Sequence, residues 1–320
     1  MLTLFSTPKP FRGHVSIVQR NALESWRRLD ADAEIILFGD DEGAAEVCRE
    51  LGLRHEPEVV RSEFGTKRLD WIFGRAQELA RHEVLCYVNC DIILTRDFRL
   101  ALERLLRWRS RFLLVGRRWD TDITEPLDFS RPDWETRVVA RARSEGTQRF
   151  YNCVDYFAFA RGTYTDLPPL VIGRNAWDHF LVGRARQLGV PIVNASDVVC
   201  AVHQNHDYAY HPQGIAGVGQ DEEGQRNVRL AGGVRHLMSI EDAEFRLTPR
   251  GVQAVLFYRL APLKRRVRKI TNRIRTYSRV HVWHPFLNAT RATRHWLGLR
   301  RESLPGFLKH RKPRISELDR

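Results

Sequence analysis

An apolar segment that begins at Val84 ends in two oxygen-bearing side chains, Asn89 and Asp91. Residues two positions apart point to the same side of an extended chain, so both side chains could face one ligand. A carboxylate at the end of a buried strand is unfavourable unless a cation or a hydrogen-bond donor pairs with it. Because ligands of open α/β sheets bind at the carboxyl ends of the strands, these residues indicate a metal–phosphate site. The alternative is that they only cap a turn, as Asn and Asp often do.

Short apolar segments alternate with amphipathic ones along most of the chain. Strands are predicted at residues 2–6, 34–38, 53–60, 84–91, 112–116, 155–159, 191–193 and 198–202. Helices are predicted at residues 14–28, 44–51, 64–81, 97–108, 134–144 and 176–188. This alternation predicts parallel α/β winding. Residues 119–134 and 209–235 are predicted to be loops, and the second could also act as a lid.

The net charge of +13 is concentrated at one end of the chain. From Arg259 to Arg320 there are 18 basic and 3 acidic residues, which leaves 34 basic and 36 acidic residues before them. The preceding part is nearly neutral, so the composition gives no support to nucleic-acid binding by the whole protein. We expect two parts, a globular domain at residues 1–240 and a basic, amphipathic helical tail at residues 241–320.

The sequence has no apolar segment of membrane-spanning length, and no signal-peptide pattern is evident at its start. Its five cysteines are an odd number without C-x-x-C spacing, and Cys86 and Cys90 lie in the apolar segment that begins at Val84. These features favour reduced, buried thiols and a cytoplasmic protein.

No G-x-G-x-x-G follows the first predicted strand and no G-x-x-x-x-G-K-[ST] occurs, which disfavours dinucleotide and P-loop sites. Residues 87–94, Tyr-Val-Asn-Cys-Asp-Ile-Ile-Leu, instead resemble the D-x-D region of the GT-A glycosyltransferases, the nucleotide-diphospho-sugar transferase superfamily. The resemblance covers roughly residues 1–215. It implies a Rossmann-like, mixed but mainly parallel sheet that is flanked by helices.

The resemblance also implies a site for a nucleotide-diphosphate sugar where the first strands end. Its nucleoside would lie against the residues after the first two strands, and basic residues at the start of a later helix could supply charge to the diphosphate. A solvated helix end is the alternative for the basic pair. The expected donor-binding residues are Thr7, Pro8, Lys9, Asp40 or its alternate Asp41, Lys67, Arg68 and Asn89.

In that superfamily the D-x-D carboxylates hold a divalent cation, usually Mn²⁺ or Mg²⁺, that bridges the diphosphate. The corresponding residues are Asn89 and Asp91, so the first would offer an uncharged amide oxygen, and the need for a metal stays open. A late histidine is often a further ligand, and His203 or His206 could serve, although either could be an ordinary loop histidine. A literal D-x-D at residues 120–122 is the second choice, better suited to an acceptor-facing loop.

Asp178 is the expected catalytic base, because the resemblance places an acidic residue in this region of enzymes that invert the anomeric centre. The alternative is that Asp178 only stabilises its helix, because a negative charge is favourable near a helix N-terminus. Together these residues predict a glycosyltransferase that moves a sugar from a nucleotide-diphosphate donor to a glycan or lipid-linked acceptor. The alternatives are a GT-A-like protein that binds without turnover and a sugar-nucleotide pyrophosphorylase, which the missing Gly-rich opening loop disfavours.

The basic tail carries one apolar stripe on a cationic helix, formed by Leu263, Val267, Ile270, Ile274 and Tyr277. Such helices bind anionic membrane surfaces, and each basic residue near the surface contributes about 1 kcal/mol. We therefore expect residues 259–300 to attach the protein peripherally to the inner face of a membrane. A helix packed on the globular domain is the alternative, and specific nucleic-acid binding is not expected.

Overall fold

The computed structural model describes residues 2–206 and 221–256. Within them, nine strands form a main sheet and four form a smaller one. The strands are β1 (Leu2–Ser6), β2 (Glu34–Phe38), β3 (Arg54–Glu56), β4 (Val84–Val88), β5 (Ile92–Ile93), β6 (Leu113–Val115), β7 (Arg118–Thr121), β8 (Thr147–Gln148), β9 (Tyr156–Ala160), β10 (Ile192–Asn194), β11 (Ala201–Gln204), β12 (Phe245–Thr248) and β13 (Gly251–Ala254). The α-helices are α1 (Gly13–Arg27), α2 (Ala44–Leu51), α3 (Leu69–Leu79), α4 (Arg96–Trp108), α5 (Trp134–Glu145), α6 (Trp177–Gln187) and α7 (Glu222–Leu230).

The main sheet has the strand order β13-β12-β10-β6-β9-β4-β1-β2-β3. Its neighbouring strands are parallel, except that β9 is antiparallel to both β4 and β6 and β13 is antiparallel to β12. The smaller sheet has the order β5-β11-β7-β8. The expected mixed, mainly parallel α/β architecture is confirmed.

The central strands are buried on both faces, as expected for a sheet with helices on both sides. On one face Leu4 of β1 lies in the same core cluster as Trp26 of α1. On the other face Phe5 and Tyr87 pack against Phe73 of α3, with ring centroids 5.1 and 5.5 Å from that of Phe73. The alternation of side chains along β1 and β4 thus supplies both helix layers.

The segment that begins at Val84 departs from the prediction at its end. β4 ends at Val88, the next residues turn, and the chain enters β5 of the smaller sheet. The turn is closed by the N–H of Ile92, which donates to the Asn89 carbonyl oxygen at 3.1 Å. The indole N–H of Trp26 donates to the Ile92 carbonyl oxygen at 2.8 Å and ties β5 to α1. Asn89 and Asp91 therefore lie in the connection between the two sheets.

Three other predicted elements were wrong in part. Helix α3 begins at Leu69 rather than at residue 64, because Arg61 and Lys67 form an antiparallel bridge before it. β7 occupies the start of the predicted loop 119–134, since it pairs with β11 and β8. Helix α7 replaces part of the predicted loop 209–235, and the Asp221 carboxylate caps it by accepting the N–H of Gly224 at 2.7 Å. Residues 207–220 lie outside the described residues.

β12 and β13 carry the main sheet past residue 240, where the first domain was expected to end. The chain divides into two compact units, Met1–Arg259 and Leu260–Arg320. The predicted amphipathic helix of the basic tail lies outside the described residues. In residues 2–206 and 221–256, every helix is too short or too polar to cross a membrane.

Candidate active site

A crevice of about 570 Å³ opens where β1 and β4 end. Further lining residues come from the segment after β2, the segment before β9, the start of α6 and the end of β11. This brings together side chains that are far apart in the sequence. Those with polar or charged groups include Thr7, Lys9, Asp41, Lys67, Asn89, Asp91, Arg118, Arg149, Asp155, Arg174, Asp178, His203 and His206.

Pro8, Asp41 and Lys67 form what we call the Lys67 cluster. The Lys67 ammonium donates to the Pro8 carbonyl oxygen at 2.9 Å and pairs with the Asp41 carboxylate, which joins the ends of β1 and β2. Burial lowers the pKa of Lys67, and the Asp41 carboxylate opposes this effect. Gly39 leaves the space for this contact, because a Cβ there would lie 2.8 Å from Lys67 Nζ.

The chain after β1 is held by Gln19 of α1. The N–H of Lys9 donates to Gln19 Oε1 at 2.6 Å, and the Gln19 amide donates to the Lys9 carbonyl oxygen at 2.9 Å. The Lys9 ammonium lies 3.4 Å from His206 Nε2. The connection after β1 therefore reaches the residues that follow β11.

Asp91, His203 and His206 form what we call the Asp91 cluster. Asp91 Oδ2 lies 3.1 Å from His206 Nε2 and 3.8 Å from His203 Nε2. Asp91 Oδ1 is buried and has no hydrogen-bond partner among the described residues. Burial by itself would raise the pKa of Asp91, but His203, the hydrogen bond from His206 and the charge of Lys9 hold it well below its usual range.

The Asp91 cluster fits a divalent metal ion. One ligand atom from each of the three residues lies within 4.8 Å of the other two. A carboxylate and two imidazoles are ordinary ligands of first-row divalent cations. A bound cation would also give the buried Asp91 Oδ1 the partner that it lacks in the described residues.

Asp120 supports His203 from behind. Its Oδ1 lies 3.2 Å from Nδ1 of His203, whereas Nε2 of the same ring faces Asp91. Asp120 also pairs with Arg118 at 2.8 Å and with Arg149 at 3.2 Å. Burial tends to raise the pKa of Asp120, but the close contact with His203 and the charge of Arg118 hold it below its usual value. A carboxylate on the second ring nitrogen fixes the orientation of a metal-binding histidine.

Asp178 lies in the first turn of α6, and its side chain is 21% exposed in the crevice. The preceding Ala176 has φ of +81°, the left-handed region that non-glycine residues seldom adopt. This strained residue turns the chain so that Trp177 packs on Tyr87, with ring centroids 5.3 Å apart, next to Asp178. Burial raises the pKa of Asp178; His179 opposes the rise and the nearby Asp155 adds to it.

The crevice opens at the carboxyl ends of β1 and β4, in a mixed, mainly parallel sheet that is covered by helices on both faces. The chain has a mixed α/β, Rossmann-like fold.

Comparison with known proteins gives matches among solved structures. Glucosyl-3-phosphoglycerate synthase from Mycobacterium tuberculosis, in complex with Mn²⁺, UDP and glucosyl-3-phosphoglycerate, matches at 13% identity and a TM-score of 0.42, over 73% of this chain and 80% of that one. S. aureus TarS in complex with UDP-GlcNAc matches at 10% identity and a TM-score of 0.44, over 64% of this chain and 58% of that one. No protein-family model matches the sequence, and neither does any curated protein.

Most of the residues predicted for the site line the crevice. They are Thr7, Pro8, Lys9, Asp41, Lys67, Asn89, Asp91, Asp178, His203 and His206. Asp40 and Arg68 are not among the residues that line the crevice in the described part of the chain. The Asp40 side chain is 67% exposed and pairs with Arg61, while Arg68 pairs with Asp70. Of the two adjacent acids, the alternate Asp41 is the one that faces inward.

The prediction missed five charged residues of the crevice, one of which is Arg61, the partner of Asp40. Arg118, Arg149 and Asp155 lie beside the Asp91 cluster, and Arg174 pairs with Asp221 at 2.6 Å near the start of α6. Arg118 comes shortly after an apolar strand, which is the same signal that singled out Lys9 and Asp41 after their strands. The sequence predicts a strand that begins at Asp155. It does not show that this strand runs antiparallel to its neighbours, which is what brings Asp155 to the crevice.

Proposed function

We propose that this protein is a glycosyltransferase that moves a sugar from a nucleotide-diphosphate donor to a glycan or lipid-linked acceptor. The observation that carries the proposal is that one crevice at the strand ends contains both the Asp91 cluster and Asp178. The first offers ligands for a cation, and the second offers a base. Both kinds of group favour transfer from a nucleotide sugar, because a diphosphate leaves while a hydroxyl attacks.

Asp91, His203 and His206 would hold the cation, with Asn89 as an additional oxygen ligand. When bound, a divalent cation stabilises the negative charge that grows on the leaving diphosphate. Two imidazoles favour Mn²⁺ over Mg²⁺, since Mg²⁺ prefers oxygen ligands in octahedral geometry. Asp120 would keep His203 in the orientation that presents Nε2 to the cation.

The residues after β1 and β2 would hold the nucleoside. Gln19 fixes the backbone at Lys9, and the Lys67 cluster joins the two strand ends, so Thr7, Pro8 and Asp41 form a rigid edge. Such rigidity favours binding because little conformational entropy is lost when the donor arrives.

Asp178 would act as general base. Its carboxylate takes the proton from the acceptor hydroxyl, the acceptor oxygen bonds to the anomeric carbon, and the bond from that carbon to the diphosphate breaks. The raised pKa of Asp178 makes the carboxylate a stronger base than an exposed aspartate. This arrangement corresponds to inversion at the anomeric centre.

The test is a thermal-shift screen of UDP-, GDP- and CMP-sugars with the full chain, with and without Mn²⁺, followed by donor-hydrolysis assays. We expect one nucleotide class to raise Tm, to do so more with Mn²⁺, and to be hydrolysed slowly without acceptor. Chelation with EDTA should abolish the additional shift, and Mn²⁺ should restore it more fully than Mg²⁺. Stabilisation without hydrolysis or transfer to any acceptor would mean a binding protein; no stabilisation by any donor would overturn the proposal.

We also propose that residues 259–300 attach the enzyme to an anionic membrane surface, which would place it near a lipid-linked acceptor. The support is the cationic, amphipathic pattern of the sequence. Replacing Lys264, Arg265, Arg266, Arg268 and Lys269 with Gln in the full chain should weaken co-sedimentation with phosphatidylserine vesicles at about 0.1 M salt, where charged surfaces still attract over roughly 10 Å. Equal sedimentation of the two proteins would remove the membrane proposal and leave the transferase proposal untouched.

A further inference from the structure

Asn89 and Asp155 face each other just beyond the ends of β4 and β9. Val88 pairs with Tyr156 in the antiparallel register of these strands, so residues 89 and 155 are the next pair. The N–H of Asn89 donates to the Asp155 carbonyl oxygen at 2.9 Å. The side chains are also bonded, since Asn89 Nδ2 donates to Asp155 Oδ1 at 2.9 Å.

Asp155 is itself fixed by Arg118. The Asp155 side chain is 7% exposed, and its Oδ1 also accepts from the Arg118 guanidinium at 2.7 Å. Arg118 in turn pairs with Asp120, which supports His203. The carboxylate therefore has one well-defined position, and the bond from Asn89 determines how the Asn89 amide is turned.

The bond to Asp155 leaves the Asn89 amide oxygen available for another ligand. Because Nδ2 of Asn89 is bonded to Asp155, Oδ1 points away from that carboxylate, and it accepts no hydrogen bond from the described residues. Both Asn89 and Asp91 line the crevice. An amide oxygen is a competent ligand for a hard or borderline cation.

The same contact explains why the first motif position is Asn. An Asp at position 89 would place two carboxylates at hydrogen-bonding distance in a partly buried site, where like charges disfavour ionisation. The negative charge that a D-x-D motif has at its first position is here carried by the facing strand, on Asp155, where Arg118 neutralises it.

We propose that Asp155 is a positioning residue that acts through Asn89: it holds the amide so that its oxygen joins Asp91 in binding the cation. This inference rests on the proposed function, because it presumes a cation at the Asp91 cluster. On this proposal, the Asn at position 89 does not mean that the metal site is lost. The negative charge of the usual first Asp is instead found on the facing strand, at Asp155.

The experiment measures the Mn²⁺ affinity of full-length variants by electron paramagnetic resonance, with Tm as a check on folding. Asp155→Ala and Asp155→Asn remove the same charge, but the second variant retains a side-chain oxygen that accepts from both Asn89 and Arg118. We expect Asp155→Ala to weaken Mn²⁺ binding by about 10-fold or more, as loss of a partner behind a ligand does. Asp155→Asn should weaken Mn²⁺ binding by less than about threefold, because the amide of Asn89 keeps its hydrogen-bond acceptor.

The decisive comparison repeats Asp155→Ala in an Asn89→Ala background. If Asp155 acts through Asn89, Asp155→Ala should change Mn²⁺ affinity little in the Asn89→Ala background, because the amide is already gone. An equal loss in both backgrounds would show that Asp155 acts only through its charge, and the inference would be wrong. Asp97→Ala is the matched control: this partly buried carboxylate, which accepts the N–H of Cys200 at 2.8 Å, lies outside the crevice lining, so its loss should lower Tm without changing Mn²⁺ affinity.

A second pair of variants tests the contact without metal. Asn89→Asp should lower the Tm of the metal-free protein, and the exchanged double variant, Asn89→Asp with Asp155→Asn, should recover most of the loss. A Tm unchanged by Asn89→Asp would contradict the inference. If the unmodified protein binds neither Mn²⁺ nor any nucleotide sugar, the proposed function fails instead, and the two failures are distinguishable.

Discussion

The Lys67 cluster and the Asp91 cluster both place buried charge in the same crevice, but they satisfy it differently. In the Lys67 cluster the ammonium has a carboxylate and a carbonyl oxygen as partners within the protein. In the Asp91 cluster one carboxylate oxygen faces two imidazoles and the other is buried without a hydrogen-bond partner among the described residues. The first arrangement is complete in itself, and the second has capacity for a further ligand.

This difference separates residues that maintain the site from residues that act in it. A buried ion pair whose partners are all present joins strand ends, so its disruption should affect the folded state. An incompletely satisfied carboxylate is costly to keep and marks a place for a ligand or a proton. Asp178 belongs with the second group, since its burial also disfavours the charged form.

The largest effect is expected from Asp178→Asn. Loss of a general base should lower kcat by about 10²- to 10⁴-fold. Because the folded state raises the pKa of Asp178, its ionised form costs stability above the ordinary aspartate pKa, and the variant should be more stable at neutral pH. Transfer assays and denaturant unfolding check the two effects, and a variant both active and less stable would contradict this role.

The pH profile gives a second view of Asp178. The acidic limb of kcat/KM should fall as pH decreases through its raised pKa, and so should lie above the usual aspartate value of about 3.9. The residual activity of Asp178→Asn should lack this limb. An identical limb in both proteins would assign it to another group.

Lys67→Met should destabilise the protein without changing metal binding. Removing one partner of a buried ion pair costs about 3–5 kcal/mol, because Asp41 is left charged and unpaired. Denaturant unfolding measures the loss, and Mn²⁺ affinity should change by less than about threefold, within the scatter of surface substitutions. The double variant with Asp41→Asn should recover part of the stability, since no unpaired charge remains.

Asp91→Asn should show the opposite pattern and sharpen the contrast. Loss of a carboxylate ligand should weaken Mn²⁺ binding by more than the roughly 10- to 100-fold attributed to residues behind a ligand. Titration calorimetry of this variant beside Lys67→Met provides the comparison. Equal Mn²⁺ affinities in the two variants would remove the distinction between the clusters.

The smallest effect is expected from Asp120→Asn. The variant leaves every proposed ligand in place but weakens the contact that orients His203, so Mn²⁺ affinity should fall by roughly tenfold. Calorimetry in the same buffer measures the change. An effect as large as that of Asp91→Asn would mean that Asp120 binds the cation itself.

Sequence reasoning located the parts of the site that depend on local patterns. Apolar segments that end in polar residues gave the ends of β1, β2 and β4, and parallel winding brings such ends to one edge. The choice between Asp40 and Asp41 was not local. It depends on Lys67, which approaches through the space left by Gly39 and turns Asp41 inward.

The remaining parts depend on pairings between distant strands. β7 alternates Arg118, Trp119, Asp120 and Thr121, which suggests a polar loop until its pairing with β11 and β8 is known. Neither the contact between Asp120 and His203 nor that between Asn89 and Asp155 has a sequence signal of its own. Each follows from strand register, which a single sequence does not specify.

The reversal of β9 has a consequence for how this protein could diversify. If β9 were parallel to β4, the segment before it would lie at the edge of the sheet opposite the crevice. Because β9 is antiparallel, that segment lies at the edge where the crevice opens. Residues 150–154, between Arg149 and Asp155, thus belong to a connection that can change in length and composition while β1, β2 and the Lys67 cluster stay constant. For the proposed transferase, acceptor preference could therefore change in evolution independently of the donor, through this one segment.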